Sequence, residues 1–334
     1  MINPSGKNSL HMLTLCAILK HMKDFYIYES PVCVRAVYKE TSRVSFYRPL
    51  PGVMLGYNEI KTKELPKDLF APIFDTEAVI TVNFSLRGVC EVRTEEGDYI
   101  YVKGGYMAIS RDTSPKTFCF PTGNYEGIEI YLFDDALRPD HPFFDLFDIS
   151  VHDFRETYLS RQLTLLTERW GAYLPIVQAL RKLMKRDSPD LEQMRLHILL
   201  LFRMLSVEEM RLEPVSASAL TVRQVNFAKQ AERMLTEDLA WRTSIAEIAD
   251  QLGVGESSLK NWFRSVFGKS ISEYMRDLRI QEAKRLLSDS ALSIADISAR
   301  VGYENQAKFT AMFHKYCGCT PSTYRRQYAD FSEK

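Results

Sequence analysis

Residues Ser244–Gly253 read SIAEIADQLG, and residues Ser293–Gly302, 49 positions later, read SIADISARVG. This internal repeat decides how the last third of the chain folds. Each copy opens on a serine with an acid three residues on, Glu247 in the first and Asp296 in the second. That spacing is a capping box: the hydroxyl takes a free backbone N–H of the first helical turn, and the carboxylate reaches back to the serine's own N–H. Ile245, Ile248, Ala249 and Leu252 then line one helical face. Gly253 and Gly302 fall where a tight turn between helices needs positive φ.

A second helix follows in each copy. Leu259, Phe263 and Phe267 recur every four residues in the first, and Phe309, Phe313 and Tyr316 take their place in the second. Both close on a glycine, Gly268 and Gly318, 15 and 16 residues after the turn glycine, so the second copy has one residue more in its turn. Between them Ser270 and Glu273 form another capping box. Ile271, Tyr274, Met275, Leu278, Leu286 and Leu287 mark a long amphipathic helix that joins the copies. Short helix, glycine turn and second helix make the geometry that enters a DNA major groove. Two such helices fixed on one face enter successive grooves about 34 Å apart. One hairpin of this kind is generic. Two in register, over 244–268 and 293–318, predict a tandem helix-turn-helix domain.

Charge agrees with that division. The chain has 334 residues and a formal net charge of zero, but from Leu220 onward it carries 17 Lys/Arg against 14 Asp/Glu. Within Ser257–Arg326 the balance is 12 against 6. An acidic front half joined to a basic back half suits a regulatory domain attached to a polyanion binder.

Working toward the N-terminus, Glu213–Ala219 (EPVSASA) is the linker candidate, taken as 214–220. Residues 139–213 read as a helical region, with helical spacing over Phe143–Arg169 and Pro175–Lys185. In Asp190–Met210, Leu191, Met194, Ile198, Leu201 and Leu205 form a stripe that either packs on its own domain or makes a dimer seam. Residues 25–138 read as β: Ala78–Leu86, Val89–Arg93, Tyr99–Lys103, Tyr106–Ile109, Thr117–Phe120 and Ile128–Phe133 are short runs punctuated by Gly and Pro, a small barrel or sandwich. Residues 1–24 read as a weakly ordered extension.

Several function classes are set aside. Between Val32 and Phe133 there is no histidine, which excludes a His-ligated catalytic metal in the barrel; no catalytic residue, metal or cofactor is expected. The six cysteines form no C-x-x-C pair and read as reduced thiols of a cytoplasmic protein. The apolar run Leu10–Leu19 is too short to span a bilayer, so no membrane partner is expected.

The C-terminal residues closely resemble the AraC/XylS family of bacterial transcription regulators over Val222–Tyr328. The second unit carries the family's signature as Ile297, Gly302-Tyr303, Phe309, Phe313 and Gly318-Cys319-Thr320-Pro321-Ser322-Thr323-Tyr324-Arg325, and the joining helix matches at Arg279, Ala283 and Leu286-Leu287. The resemblance implies an α+β multidomain protein. A cupin-like β-barrel regulatory domain precedes a helical dimerisation region and an all-α tandem helix-turn-helix domain over 221–330. It implies a homodimeric activator that binds double-stranded DNA, meets RNA polymerase and answers a small-molecule effector; the alternative is an effector-independent dimeric regulator.

The family's base-reading positions fall on Ser257, Lys260 and Asn261 in the first unit and on Gln306, Ala307, Thr310 and Ala311 in the second. Asn261 and Gln306 can bond an adenine edge twice and Lys260 can donate to guanine, while the alanines offer only contact with a thymine methyl. The common family pattern has Arg at Ala311 and Lys at His314, so base discrimination should lean on the first unit. Arg264, Lys269, Asn305, Lys308, Lys315, Arg325 and Arg326 are the expected phosphate partners. In the front half the strand aromatics Phe84, Tyr99, Tyr101, Phe118, Phe120 and Tyr131 are the candidate ligand-pocket lining.

Overall fold

The structure, a computed structural model, describes residues 24–30, 32–66, 79–93, 99–112, 118–133, 146–147, 149, 165–168, 170–207, 213–214, 220–237, 239–240, 244–289 and 292–332. The extension expected over 1–24 lies outside them except for Asp24, as does most of the expected helix over 143–169. The chain divides between Thr221 and Val222 into two units, taken here one at a time.

The first unit is an antiparallel sheet with helices on one face. Its strands are β1 (Phe25–Ser30), β2 (Cys33–Tyr38), β3 (Ser42–Leu50), β4 (Val53–Ile60), β5 (Val79–Arg93), β6 (Tyr99–Lys103), β7 (Met107–Asp112), β8 (Phe118–Cys119), β9 (Tyr125–Leu132), β10 (Leu165–Thr167) and β11 (Glu213–Pro214). They run in the order β1-β2-β3-β4-β9-β5-β7-β10-β11. The 15-residue β5 turns a corner: its first part pairs with β7 and β9, its last part with β6 and β8, and the register slips between Ser85 and Arg87. Gly88 makes the corner possible, because at φ +84 a Cβ there would lie 1.9 Å from the Asn124 carbonyl oxygen.

Among the described residues β1 and β11 end the ladder without pairing to each other, so the closed barrel expected from the sequence is not formed. Side-chain alternation marks strands; closure depends on which backbones bond at the two ends, and no local pattern encodes that.

The bent sheet has two buried faces. Val82, Phe84, Leu55 and Ile130 face the helices α1 (Leu174–Met184) and α2 (Leu191–Val207), while Phe46, Met54, Cys90, Phe120, Tyr125 and Tyr131 fill the other face. Met194, Ile198, Leu201 and Leu205 of α2 are buried in the first of these cores and Leu191 is half-buried against it. The proposed dimer seam therefore faces inward, and Leu196 and Leu200 are the exposed apolar residues of α2 among those whose side chains are described. Two ends expected to be helix or linker join the sheet instead: Leu165–Thr167 pairs with β7, and Glu213–Pro214 pairs with β10. Leu220 exchanges both backbone hydrogen bonds with Tyr99, at 3.1 and 3.2 Å.

The second unit is helical: α3 (Val222–Glu237), α4 (Ile245–Leu252), α5 (Glu256–Phe267), α6 (Ile271–Asp289), α7 (Ile294–Arg300), α8 (Gln306–Cys317) and α9 (Pro321–Ser332). Helix α6 is the axis. Toward its start the Tyr274 ring packs on Phe263 and Phe267, with centroids 5.4 and 5.1 Å away. Toward its end Ala283, Leu286 and Leu287 close over Ile297, Phe309 and Phe313. Among the described residues no helix is long and apolar enough to cross a membrane.

Candidate nucleic-acid interface

Both helix-turn-helix units are built from the expected local parts. In the first, Glu247 N–H donates to Ser244 Oγ at 3.2 Å and Ser244 N–H donates to Glu247 Oε2 at 2.7 Å. These bonds hold the Glu247 carboxyl below its ordinary range. In the second, Asp296 N–H donates to Ser293 Oγ at 3.1 Å and Ser293 N–H to Asp296 Oδ2 at 3.3 Å. Gly253 and Gly302 take positive φ, 67° and 82°, as the turns require.

The recognition helices α5 and α8 differ at their starts. Gly255 precedes α5 and supplies no side-chain cap. Asn305 precedes α8, and its Oδ1 accepts from the backbone N–H of Ala307 and Lys308 at 2.8 and 3.2 Å. The sequence reading gave Asn305 to a phosphate; the structure gives its carbonyl oxygen to the helix, a role the Asn-x-x spacing at a helix start could have signalled.

Each helix buries one face and offers the other to solvent. Leu259, Phe263, Val266 and Phe267 are buried on α5, and Ser257, Lys260, Asn261 and Arg264 are exposed. Phe309 and Phe313 are buried on α8, with Gln306, Ala307, Lys308, Ala311 and Lys315 exposed and Thr310 half-buried. All seven expected base-reading positions thus lie off the buried faces. Trp262 packs rather than protrudes, its ring stacked on Phe227 of α3 at 5.8 Å.

The cations are less free than their number suggests. Lys260 is ion-paired to Glu256 one turn earlier on its own helix. Lys269 Nζ donates to Asp277 Oδ2 at 2.5 Å. Arg325 is half-buried and donates through Nη2 to the Leu292 carbonyl at 2.6 Å, a tie between α9 and the start of the second unit. Arg264, Lys308, Lys315 and Arg326 are exposed.

The six aromatic pocket candidates do not share one face. Phe84 lies on the helix-covered side against Trp170, with centroids 5.4 Å apart. Phe118, Phe120 and Tyr131 lie on the other. On β6 it is Ile100 and Val102 that enter this second core, so Tyr99 and Tyr101 point the opposite way. Tyr101 Oη donates to Glu91 Oε2 at 2.7 Å.

Residues 248–327 match a family model described as a helix-turn-helix domain. The HTH-type transcriptional activator RhaR of Yersinia pseudotuberculosis serotype O:1b is 38% identical over 94 residues, which are 28% of this chain and 32% of that protein. The HTH-type transcriptional activator RhaR of Cronobacter sakazakii is 40% identical over 75 residues, 22% of this chain and 26% of that protein. The chain thus matches about a third or less of the length of these relatives. Among solved structures, the C-terminal domain of the two-component response regulator yesN from Fusobacterium nucleatum is 26% identical, covering 30% of this chain and 98% of that one, with a TM-score of 0.28. The two helix–glycine turn–helix units and the matched model over 248–327 make the C-terminal unit a tandem helix-turn-helix domain. It is of the AraC type.

Proposed function

We propose that this chain is a sequence-specific DNA-binding transcription regulator, acting as an activator, whose first unit responds to a small-molecule effector. The observation that carries the DNA reading is the pair of recognition helices, each with a buried aromatic face and an exposed polar one, mounted on the single helix α6. The names of the relatives, transcriptional activators, support the regulatory half of the proposal.

The first unit offers one physical reason to expect a ligand. Asn58 Oδ1 and Thr81 Oγ1 are buried and have no hydrogen-bond partner. They share a face with Asn83, whose Nδ2 donates to the buried Glu129 at 3.0 Å. An unsatisfied buried polar atom costs about 1–3 kcal/mol, and a ligand with hydroxyl or amino groups would relieve both at once. In this reading the ligand lies against the polar row, beside Tyr131, Phe120 and Phe118 of the aromatic set read from the sequence and away from Phe84. A second copy would dimerise through the first unit, with RNA polymerase as the further partner of an activator.

Selection of target DNA from a random pool by the full chain tests the DNA reading, followed by salt-matched comparison of the selected site with random sequence. Equal affinity for both at every salt concentration would reduce the protein to a non-specific binder. A thermal-shift screen with metabolites then decides between the effector-responsive regulator and the effector-independent dimer. A ligand that raises Tm in the wild type, but not after Glu129→Gln, supports the former.

A further inference from the structure

We propose that Arg279 is the positioning residue that fixes the spacing and orientation of the two recognition helices, by joining the first helix-turn-helix unit, α6 and the second helix-turn-helix unit, called the first and second units below, at one point. This rests on the reading of the C-terminal unit as a two-site DNA reader. Arg279 stands near the middle of α6.

Its Nε donates to the Leu239 carbonyl, in the connection between α3 and α4, at 3.1 Å. The same guanidinium lies over the ring of Tyr303, in the turn of the second unit, 5.8 Å from its centroid. Gly302 completes the joint. A Cβ at Gly302 would come within 2.6 Å of the Leu239 carbonyl oxygen and 2.9 Å of Arg279 Nη2, so the backbones of the two units touch where a side chain would part them.

A cleft of about 570 Å³ opens between Leu235, Ile245 and Met275 on one side and Tyr303, Asn305 and Lys308 on the other. The aromatic and aliphatic packing of each unit lies toward its own end of the 19-residue α6, through Tyr274 at the start and Leu286 and Leu287 at the end. Contacts centred on one helix resist sliding along it but resist rotation about it poorly. The Leu239–Arg279–Tyr303 joint lies off that axis and blocks the rotation. Arg276 also stacks on a ring of the second unit, Tyr316, at 4.4 Å, but its described contacts do not include the first unit's loop. A planar guanidinium bonds the carbonyl through its edge and stacks its face on the ring, a geometry that an ammonium reproduces only in part.

The test uses the full chain and Arg279→Ala, Arg279→Lys and Gly302→Ala. Arg279→Ala should weaken binding to a selected two-site target by about tenfold or more, as the effective concentration of the second helix falls. Binding to DNA carrying only the first unit's half-site should hold within about twofold, because the reading side chains are untouched. A base pair inserted between half-sites should cost the wild type affinity and cost Arg279→Ala little. Arg279→Lys, which keeps charge and fold, should fall between, and Gly302→Ala should reproduce Arg279→Ala from the opposite side of the joint.

Spin labels carried by non-natural residues at Gln251 and His314 give a readout without DNA. The wild type should show one narrow distance distribution and Arg279→Ala a broad one. An unchanged distribution in both Arg279 variants, with two-site and half-site affinities falling by one common factor, overturns the proposal. Should the wild type select no sequence at all, the DNA reading falls, and the spin-label distances still decide the joint.

Discussion

The two units of this chain are held together at different distances along the sequence. In the C-terminal unit the contacts that define each helix start span a few residues, Ser244 with Glu247, Ser293 with Asp296, Asn305 with Lys308, beside a few long-range ties such as Arg279 to Leu239 and Arg325 to Leu292. In the N-terminal unit they span many. Glu126 of β9, buried, takes Arg181 of α1 through two bonds at 2.6 and 2.9 Å, the Tyr57 hydroxyl of β4 at 2.6 Å and Lys185 Nζ at 3.3 Å. Near it Tyr47 Oη donates to the Met184 carbonyl at 2.6 Å, and Arg195 Nε to that of Pro49 at 2.5 Å. Helices are clamped to a sheet by groups that no local pattern links. The contrast teaches that removing a short-range contact should loosen one helix end, whereas removing a long-range one should loosen a layer.

The largest effect is therefore expected at Glu126. Burial pushes its carboxyl up, but the hydrogen bonds from Arg181 and Tyr57, with the charge of Lys185, outweigh burial and hold it down at about 2. A carboxyl depressed on folding stabilises the fold fully above its unfolded value of 4.5 and loses that contribution as pH falls from 4.5 toward 2. Glu126→Gln should cost about 3 kcal/mol near neutrality, near the low end for breaking a buried pair because Arg181 can rehydrate. Its urea midpoint should change less than the wild type's between pH 5 and pH 3. If Ser244→Ala cost as much as Glu126→Gln, the contrast between the units would be gone.

That same contrast sets how much could be read in advance. All three capping boxes, both turn glycines, the faces of α5 and α8 and the amphipathic α6 were legible because each is a rule acting within one or two turns. Strands β5, β6, β7 and β9 were legible as alternating runs. Their partners were not: Phe84 stands opposite Ile128 and Tyr131 opposite Thr81, which puts the two aromatics on different faces, and only register reveals it. The α2 stripe announced an apolar face without saying what covers it. Arg325 and Asn305 looked like phosphate ligands because composition cannot tell a free cation or amide from one turned back on its own backbone.

The second prediction separates the recognition helices. Asn261→Ala should relax specificity at one base position and cost about 1–3 kcal/mol on the best site, and Gln306→Ala should cost less, since its neighbours Ala307 and Ala311 add little readout. Selection with each variant measures this directly. A uniform loss across all sequences from Asn261→Ala would remove it from the base-reading set, and equal losses from the two variants would make the helices equal partners.

Capping provides the third. Asn305→Ala leaves two N–H groups of α8 without their acceptor and should lower stability by about 1 kcal/mol. Gly255→Asp gives α5 the cap it lacks and should raise stability by a few tenths of a kcal/mol. Urea midpoints at constant slope decide both. A neutral Asn305→Ala would show that α8 is held by its aromatic face alone, and would free Asn305 for the phosphate role read from the sequence.

The smallest effect concerns the charge that α5 presents. Glu256 and Lys260 pair across one turn of an exposed helix face, an arrangement worth only about 0.3–0.5 kcal/mol to the fold. Toward DNA the pair acts with the opposite sign, because the Glu256 carboxylate repels phosphates and competes for the ammonium that would donate to a base. Glu256→Gln should therefore leave stability nearly unchanged and raise affinity by about 0.5–1 kcal/mol at low salt, with the gain shrinking as salt screens it. If affinity does not rise, Lys260 already leaves Glu256 on binding without cost. If it rises equally on random DNA, the released lysine meets phosphate rather than guanine, and sequence reading by α5 rests on Ser257 and Asn261.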